Sequence, residues 1–371
     1  MNMKKILSAA ACAAACTLLL SACSAMVSTP FSANWLKTPS NYSADFYEEL
    51  VYSVAFESTS VKDSVSEFTI DAENSSYTQT TRTLASFTVP DGSDRVEQNV
   101  YHMHSELTLS GTYYYIASDG TKEAVCSFGG ENDDPDKDYD DPASVVTDVY
   151  FHSLQDGKNL QPIYSTTTAY SYSTGNSGKT VLLYNYTVTI VYSENANQAK
   201  LSRTDNWGDL SDEEMKVTEN PQKSPVYEES ATWKDLQKDY SILDGRQLLF
   251  AARGINYSNG SSSTVNVMTE SGTQKTSISC SEEPTSATYS FALDGEEKKD
   301  HSVTCASLSI SLSNGTAFTG ESHKMTIAQK TGEDASAFYA LPVRIESPFG
   351  FGHGKMIYKL ESCTHTPSAE A

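Results

Sequence analysis

Alternation with a period of two runs through most of the chain. In TVLLYNYTVTIVYS, residues 180–193, Leu182, Tyr184, Tyr186, Val188, Ile190 and Tyr192 share one parity, and Asn185, Thr187, Thr189 and Ser193 share the other. Side chains of a β-strand point alternately to opposite faces, so the segment is predicted to be a strand with one dry face and one wet face. In HSVTCASLSISLS, Ala306, Leu308, Ile310 and Leu312 alternate with Ser307, Ser309 and Ser311. Tyr289, Phe291 and Leu293 repeat the rule, as do Met356, Tyr358 and Leu360. This pattern is that of antiparallel sheet. At roughly 3.3 Å per residue the segment around Tyr184 reaches about 45 Å. A strand that long covers its apolar face by packing on a second sheet, by closing into a barrel, or by curling around a helix or a ligand.

Helical spacing is scarce. ATWKDLQKDY places Trp233, Leu236 and Tyr240 at helical intervals and predicts a helix over 231–240. Asp244 followed by Gln247 reads as a capping box that opens a short helix over Leu248, Leu249 and Ala252, with Gly254 as its stop. Between about 195 and 230 the chain turns polar and charged, with Pro221 and Pro225, which marks a candidate boundary. The expected fold class is therefore mainly β: long antiparallel strands in a curved open sheet or half-barrel, or two packed β lobes, with one or two short helices. The expected segments are 46–200, a polar linker at 201–229, 230–363 with a leading helix, and a disordered tail at 364–371.

The start of the chain follows another rule. Lys4 and Lys5 precede an apolar, alanine-rich run from Ile6 to Leu20, which ends in Ser21, Ala22 and Cys23. That is the order of an export signal, and the run falls short of the roughly 20 apolar residues of a membrane-spanning helix. Leu20-Ser21-Ala22-Cys23 resembles the lipobox of bacterial lipoproteins, in which the cysteine sulfur is linked to diacylglycerol and a peptidase cuts before it. The resemblance covers the first 23 residues. It implies a signal peptide at 1–22, lipid attachment at Cys23, and a position outside the cytoplasm, anchored to a bacterial membrane at the cell surface or the periplasmic face. Residues 23–45, rich in Ser, Thr, Asn and Pro, then read as a tether. Each buried methylene contributes about 0.8 kcal/mol, so several chains on one residue hold the body at the membrane. A tethered body of one-faced strands is also similar, in a general way, to half-barrel lipoproteins that carry or sense lipids.

Removing residues 1–22 takes away two of the 26 basic residues and none of the 48 acidic ones, which leaves a net charge of −24. Nucleic acid is not an expected partner, because phosphates demand Lys and Arg. Cys126, Cys280, Cys305 and Cys363 remain, enough for two disulfides in three pairings. Cys280 and Cys305, on neighbouring predicted strands, form the expected pair, against the alternative that each packs as a reduced, small apolar residue.

Candidate chemistry is sparse. In YHMHSELTL, His102, His104 and Glu106 fall on one strand face while Tyr101, Met103, Leu107 and Leu109 take the other. Two histidines so placed can chelate zinc or copper, and the same pattern also describes any wet sheet face. ENDDPDKDYDDP sets Asp134, Asp136 and Asp138 where a calcium loop places its first oxygens, but Tyr139 and Val145 stand where such loops need Gly and Glu. A solvated acidic loop is the expected reading and no cofactor is expected, with calcium on these residues as the alternative. STGNSGKT ends like a phosphate loop yet precedes a strand, and the glycines of SPFGFGHGKM turn the chain into its last strand. No Gly-x-Ser-x-Gly elbow marks a nucleophile. The expected function is non-enzymatic: a membrane-anchored protein that binds a lipophilic ligand or a cell-envelope protein through a sheet face. The alternatives are a structural or adhesive β-sandwich that binds carbohydrate or protein through loops, and a metal-dependent enzyme using His102 and His104.

Overall fold

The computed structural model describes residues 46–365, apart from 59, 62–63, 130–137, 140, 154–159, 175–180, 207–225, 238–239, 256–257, 271, 313–322, 331–339 and 350–353. The signal segment, Cys23, the tether and residues 366–371 lie outside the described residues. The first half contains β1 (Tyr47–Ser58), β2 (Ser60–Val61), β3 (Ser64–Ile70), β4 (Ser76–Thr88), β5 (Val96–Leu109), β6 (Gly111–Ile116), β7 (Lys122–Phe128), β8 (Asp138–Tyr139), β9 (Ala143–His152), β10 (Pro162–Thr174), β11 (Val181–Tyr192) and β12 (Gln198–Asn206). The second contains β13 (Val226–Lys234), β14 (Ile242–Asp244), a 3-10 turn (Gly245–Gln247), α1 (Leu248–Ala252), β15 (Ser261–Thr269), β16 (Gly272–Cys280), β17 (Thr285–Leu293), β18 (Glu296–Leu312), β19 (His323–Lys330), β20 (Leu341–Phe349) and β21 (Gly354–Thr364). The fold is mainly β, as the alternation predicts.

The large sheet has 16 strands, ordered β13-β12-β11-β10-β9-β5-β4-β1-β21-β20-β19-β18-β16-β15-β14, with β17 bridging β18 and β21. The first strand pairs with the last: Leu50 lies opposite Cys363 and Val54 opposite Tyr358. β12 and β13 pair across the candidate boundary, so both halves belong to one curved sheet with barrel-like closure. β17 meets β21 in parallel at Ala292–Ser362 and Leu293–Cys363, which closes β17, β18, β19, β20 and β21 into a ring. A smaller sheet, β2-β3-β6-β7-β8, sits beside it. β5 crosses into that sheet through Ser110 and Gly111. Gly111 has φ 143°, and a Cβ there would stand 2.2 Å from the Thr69 carbonyl oxygen, so the crossing requires glycine.

The predicted parity holds where it is described. Val188, Ile190 and Tyr192 are buried, as are Ala306, Leu308 and Ile310 on β18, and Met356, Tyr358 and Leu360 on β21. The long apolar face is covered from within. α1 buries Leu248, Phe250, Ala251 and Ala252, and the Phe250 ring packs 5.3 Å from Phe151 and 6.1 Å from Tyr101. The expected capping box is present, but it opens the 3-10 turn that runs into α1 rather than α1 itself, which has no side-chain cap: the Asp244 side chain accepts from the Arg246 backbone N–H, and the Gln247 side chain accepts from the Asp244 N–H. The buried Asp244 carboxylate also accepts from Ser165 on β10 at 2.6 Å and Tyr192 on β11 at 2.7 Å. A carboxylate survives burial only when its oxygens are satisfied, and here they tie the end strand β14 back to the first half of the sheet.

Four expectations are corrected. Ala231–Lys234 belongs to β13 and not to a helix, because Trp233 pairs with Ala199 and Asp235, at φ 57°, turns the chain out. The linker is shorter than 201–229, since β12 continues to Asn206 and β13 begins at Val226; residues 207–225 lie outside the described residues. Thr364 and His365 are not tail, because β21 includes Thr364 and the His365 N–H donates to Asp294 at 2.8 Å. Cys280 and Cys305 do not meet: Ser279 pairs with Ser309, whereas Cys305 pairs with Thr285 and Ala328, and all four body cysteines are buried free thiols.

Candidate functional site

YHMHSELTL forms the C-terminal nine residues of β5, with β4 on one side and β9 on the other. Tyr101 and Met103 face the core and are buried. His102 and His104 point to the opposite face, where the register sets Arg82 and Tyr150 beside His102, and Asp148 beside His104. One carboxylate oxygen, Asp148 Oδ1, lies 2.7 Å from His102 Nε2 and 2.9 Å from His104 Nδ1. Arg82 Nε donates to His102 Nδ1 at 3.4 Å. That bond needs the Nδ1 lone pair, so the His102 proton sits on Nε2 and is donated to Asp148. The His102 hydrogen bond holds the Asp148 carboxyl below its ordinary range, against the opposing pull of burial.

Aromatic rings fix the geometry. The His102 imidazole lies flat on Tyr150, with centroids 4.4 Å apart and planes 6° from parallel. Tyr150 in turn stacks on Phe87 at 3.8 Å. These rings border a small apolar cluster of Val89, Val100 and Ile163, against which Phe87, Tyr150, Tyr164 and Val191 pack. Glu106 stands two pairs further along from His104, opposite Val146, and is exposed. Asp148 and Arg82 come from separate strands, and no local spacing in the sequence announces either. The available signal was composition: Asp148 is the lone acid in ASVVTDVYFH, but its register against β5 is a tertiary fact.

A second group gathers where β1 begins and β21 ends, in the middle of the large sheet. Arg253, just past α1, donates to both Glu48 oxygens at 2.6 and 3.0 Å and to the Ala340 carbonyl at 2.9 Å. His365 Nε2 stands 3.4 Å from Glu48 and 3.5 Å from Cys363 Sγ, while its Nδ1 stands 3.2 Å from Asp294. The Cys-His-Asp order resembles an activated thiol, but the environment opposes it. Burial pushes the Cys363 thiol well up, with Glu48 adding to the effect, and Cys363 is 1% exposed. The Glu48 oxygens are already committed to Arg253, so this group is a structural tie.

The other candidates separate. Asp134 and Asp136 lie outside the described residues, and Asp138 lies in β8, paired with Ser127, rather than in a loop. Residues 175–180 of the phosphate-loop-like stretch are also outside, and Gly354 opens the last strand as expected. Among the described residues no helix is long and apolar enough to cross a membrane. No family model, curated protein or solved structure matches the chain.

Proposed function

We propose that the chain is a bacterial lipoprotein, anchored outside the cytoplasm through diacylglycerol on Cys23, whose β body binds a cell-envelope protein without catalysing a reaction. The observation that carries the anchoring is Leu20-Ser21-Ala22-Cys23 at the end of a basic-then-apolar leader. The choice of a protein over a lipophilic ligand rests on the inner face of the sheet, where Phe250, Tyr101 and Phe151 fill the space a lipid would need. Recognition then falls to the opposite face, where Tyr150 and Tyr164 pack against the small apolar cluster and Arg82 stands beside His102. Tyr and Arg are the residue types enriched at protein interfaces.

Two measurements test the reading separately. In a bacterial host given labelled palmitate, the natural chain takes up label and partitions with the detergent phase, whereas Cys23→Ser takes up none and partitions with water. Equal partitioning of the two removes the anchor. A photo-crosslinking residue at Tyr164 in the anchored chain yields one discrete adduct that Arg82→Glu abolishes. An adduct unaffected by that substitution removes the proposed face.

A further inference from the structure

We propose that His102, His104 and Asp148 form a binding site for a zinc-type divalent transition metal on the solvent side of the sheet. Their donor atoms, one from each side chain, all lie within 4.8 Å of one another. The two imidazoles come from i and i+2 on β5, and Asp148 from the directly paired position on β9, so two rigid strands rather than a loop supply the ligands. Two imidazole nitrogens and one carboxylate suit zinc and its neighbours; calcium and magnesium take mainly oxygen. Three protein ligands leave the fourth tetrahedral position for water.

The site is prepared before a metal arrives. The stack of Phe87, Tyr150 and His102 sets the plane of the first imidazole, which reduces the ordering cost of binding. The His104 side chain is 38% exposed and leaves a route from solvent. With metal bonds of about 2.05 Å, tetrahedral ligand atoms stand roughly 3.3 Å apart, so the contacts of 2.7 and 2.9 Å open by about half an ångström.

Proton placement identifies the residue that opposes binding. In the metal-free arrangement His102 Nε2–H and His104 Nδ1–H both donate to Asp148. A metal bound to these two nitrogens takes the place of their protons, so a ring that ligates as neutral imidazole carries its proton on its other nitrogen. For His102 that nitrogen is Nδ1, which then presents N–H to Arg82 N–H, donor against donor. Arg82 must swing away, and its positive charge also repels the ion. Replacing it therefore tightens binding.

The test uses the untagged full chain in detergent, stripped with chelator and titrated with cobalt(II), followed by competition with zinc(II). The expected result is one equivalent bound, with the intense visible bands of four-coordinate cobalt. His104→Ala and Asp148→Asn each weaken binding roughly ten-fold or more, the scale set by partners of metal ligands. Arg82→Gln tightens it, and circular dichroism shows all three variants folded. Binding of equal strength in the natural chain and His104→Ala, or an Arg82→Gln variant that binds more weakly, overturns the proposal. So does a cobalt spectrum that stays octahedral.

Discussion

Glu48 and Arg253 are the residues on which burial makes the largest demand. Each is fully enclosed, and each is tolerable only because the other is charged and the two hydrogen bonds between them are short. Burial raises the Glu48 carboxyl, but the Arg253 guanidinium and the His365 hydrogen bond outweigh it, and the group is held at about 2 against an ordinary 4.5. A carboxyl depressed on folding gives stability that is fully present above its unfolded value and is lost as pH falls toward its folded one. The expected outcome is a fall in unfolding free energy between about pH 4.5 and pH 2, read by urea denaturation at a series of pH values. Glu48→Gln leaves Arg253 buried without its counter-charge and costs about 3–5 kcal/mol at neutral pH. The same experiment on Glu48→Gln gives a flatter acid limb. The cysteines give a second check at this scale. In native protein the four body thiols resist a thiol reagent, and in urea without reductant all four react. A missing pair in urea would restore a disulfide, though not between Cys280 and Cys305 as these strands are registered.

Among the elements, α1 does work out of proportion to its length. Five residues cannot form a stable helix alone, so packing must hold it. Phe250→Ala removes the ring between Tyr101 and Phe151 and costs about 3–5 kcal/mol, measurable as a lower urea midpoint. The crossing at Gly111 is the other vulnerable point. Gly111→Ala forces a methyl group against the Thr69 carbonyl at a strained φ and costs about 2 kcal/mol or more, with protection from hydrogen exchange falling first in β3, β6 and β7. The elements also show where sequence reasoning reaches its limit. Strand parity at Ile190, Leu308 and Tyr358 was legible because period-two alternation is local. The capping box at Asp244 was legible because a cap is made within four residues. Trp233, Leu236 and Tyr240 misled because their spacing fits a helix, while pairing with the preceding strand β12 decided for a strand over Val226–Lys234. The candidate site was half legible: His102 and His104 share a strand face by parity, but Asp148 and Arg82 reach them only through strand register.

On the scale of the whole molecule, the polar stretch near 207–225 suggests two independent halves, and the sheet argues otherwise. β1 is seated between β4 and β21, β13 continues from β12, and Asp244 fastens β14 to β10 and β11. A carboxylate that accepts from Ser165 and Tyr192 while capping its own helix is shared by both halves, so neither half can lose it alone. Removing it leaves two buried hydroxyls without their acceptor and frees the 3-10 turn that leads into α1, each at a cost of about 1–3 kcal/mol. Asp244→Ala is therefore expected to lower the melting transition of the entire body as one unit. Tryptophan fluorescence in a Trp35→Phe, Trp207→Phe background, where Trp233 on β13 is the remaining tryptophan, and hydrogen exchange in β20 and β21 should shift by the same amount. If the exchange of β20 and β21 stayed unchanged while the Trp233 transition moved, the sheet would be two cooperative units, and the continuity through β1 would carry no mechanical coupling.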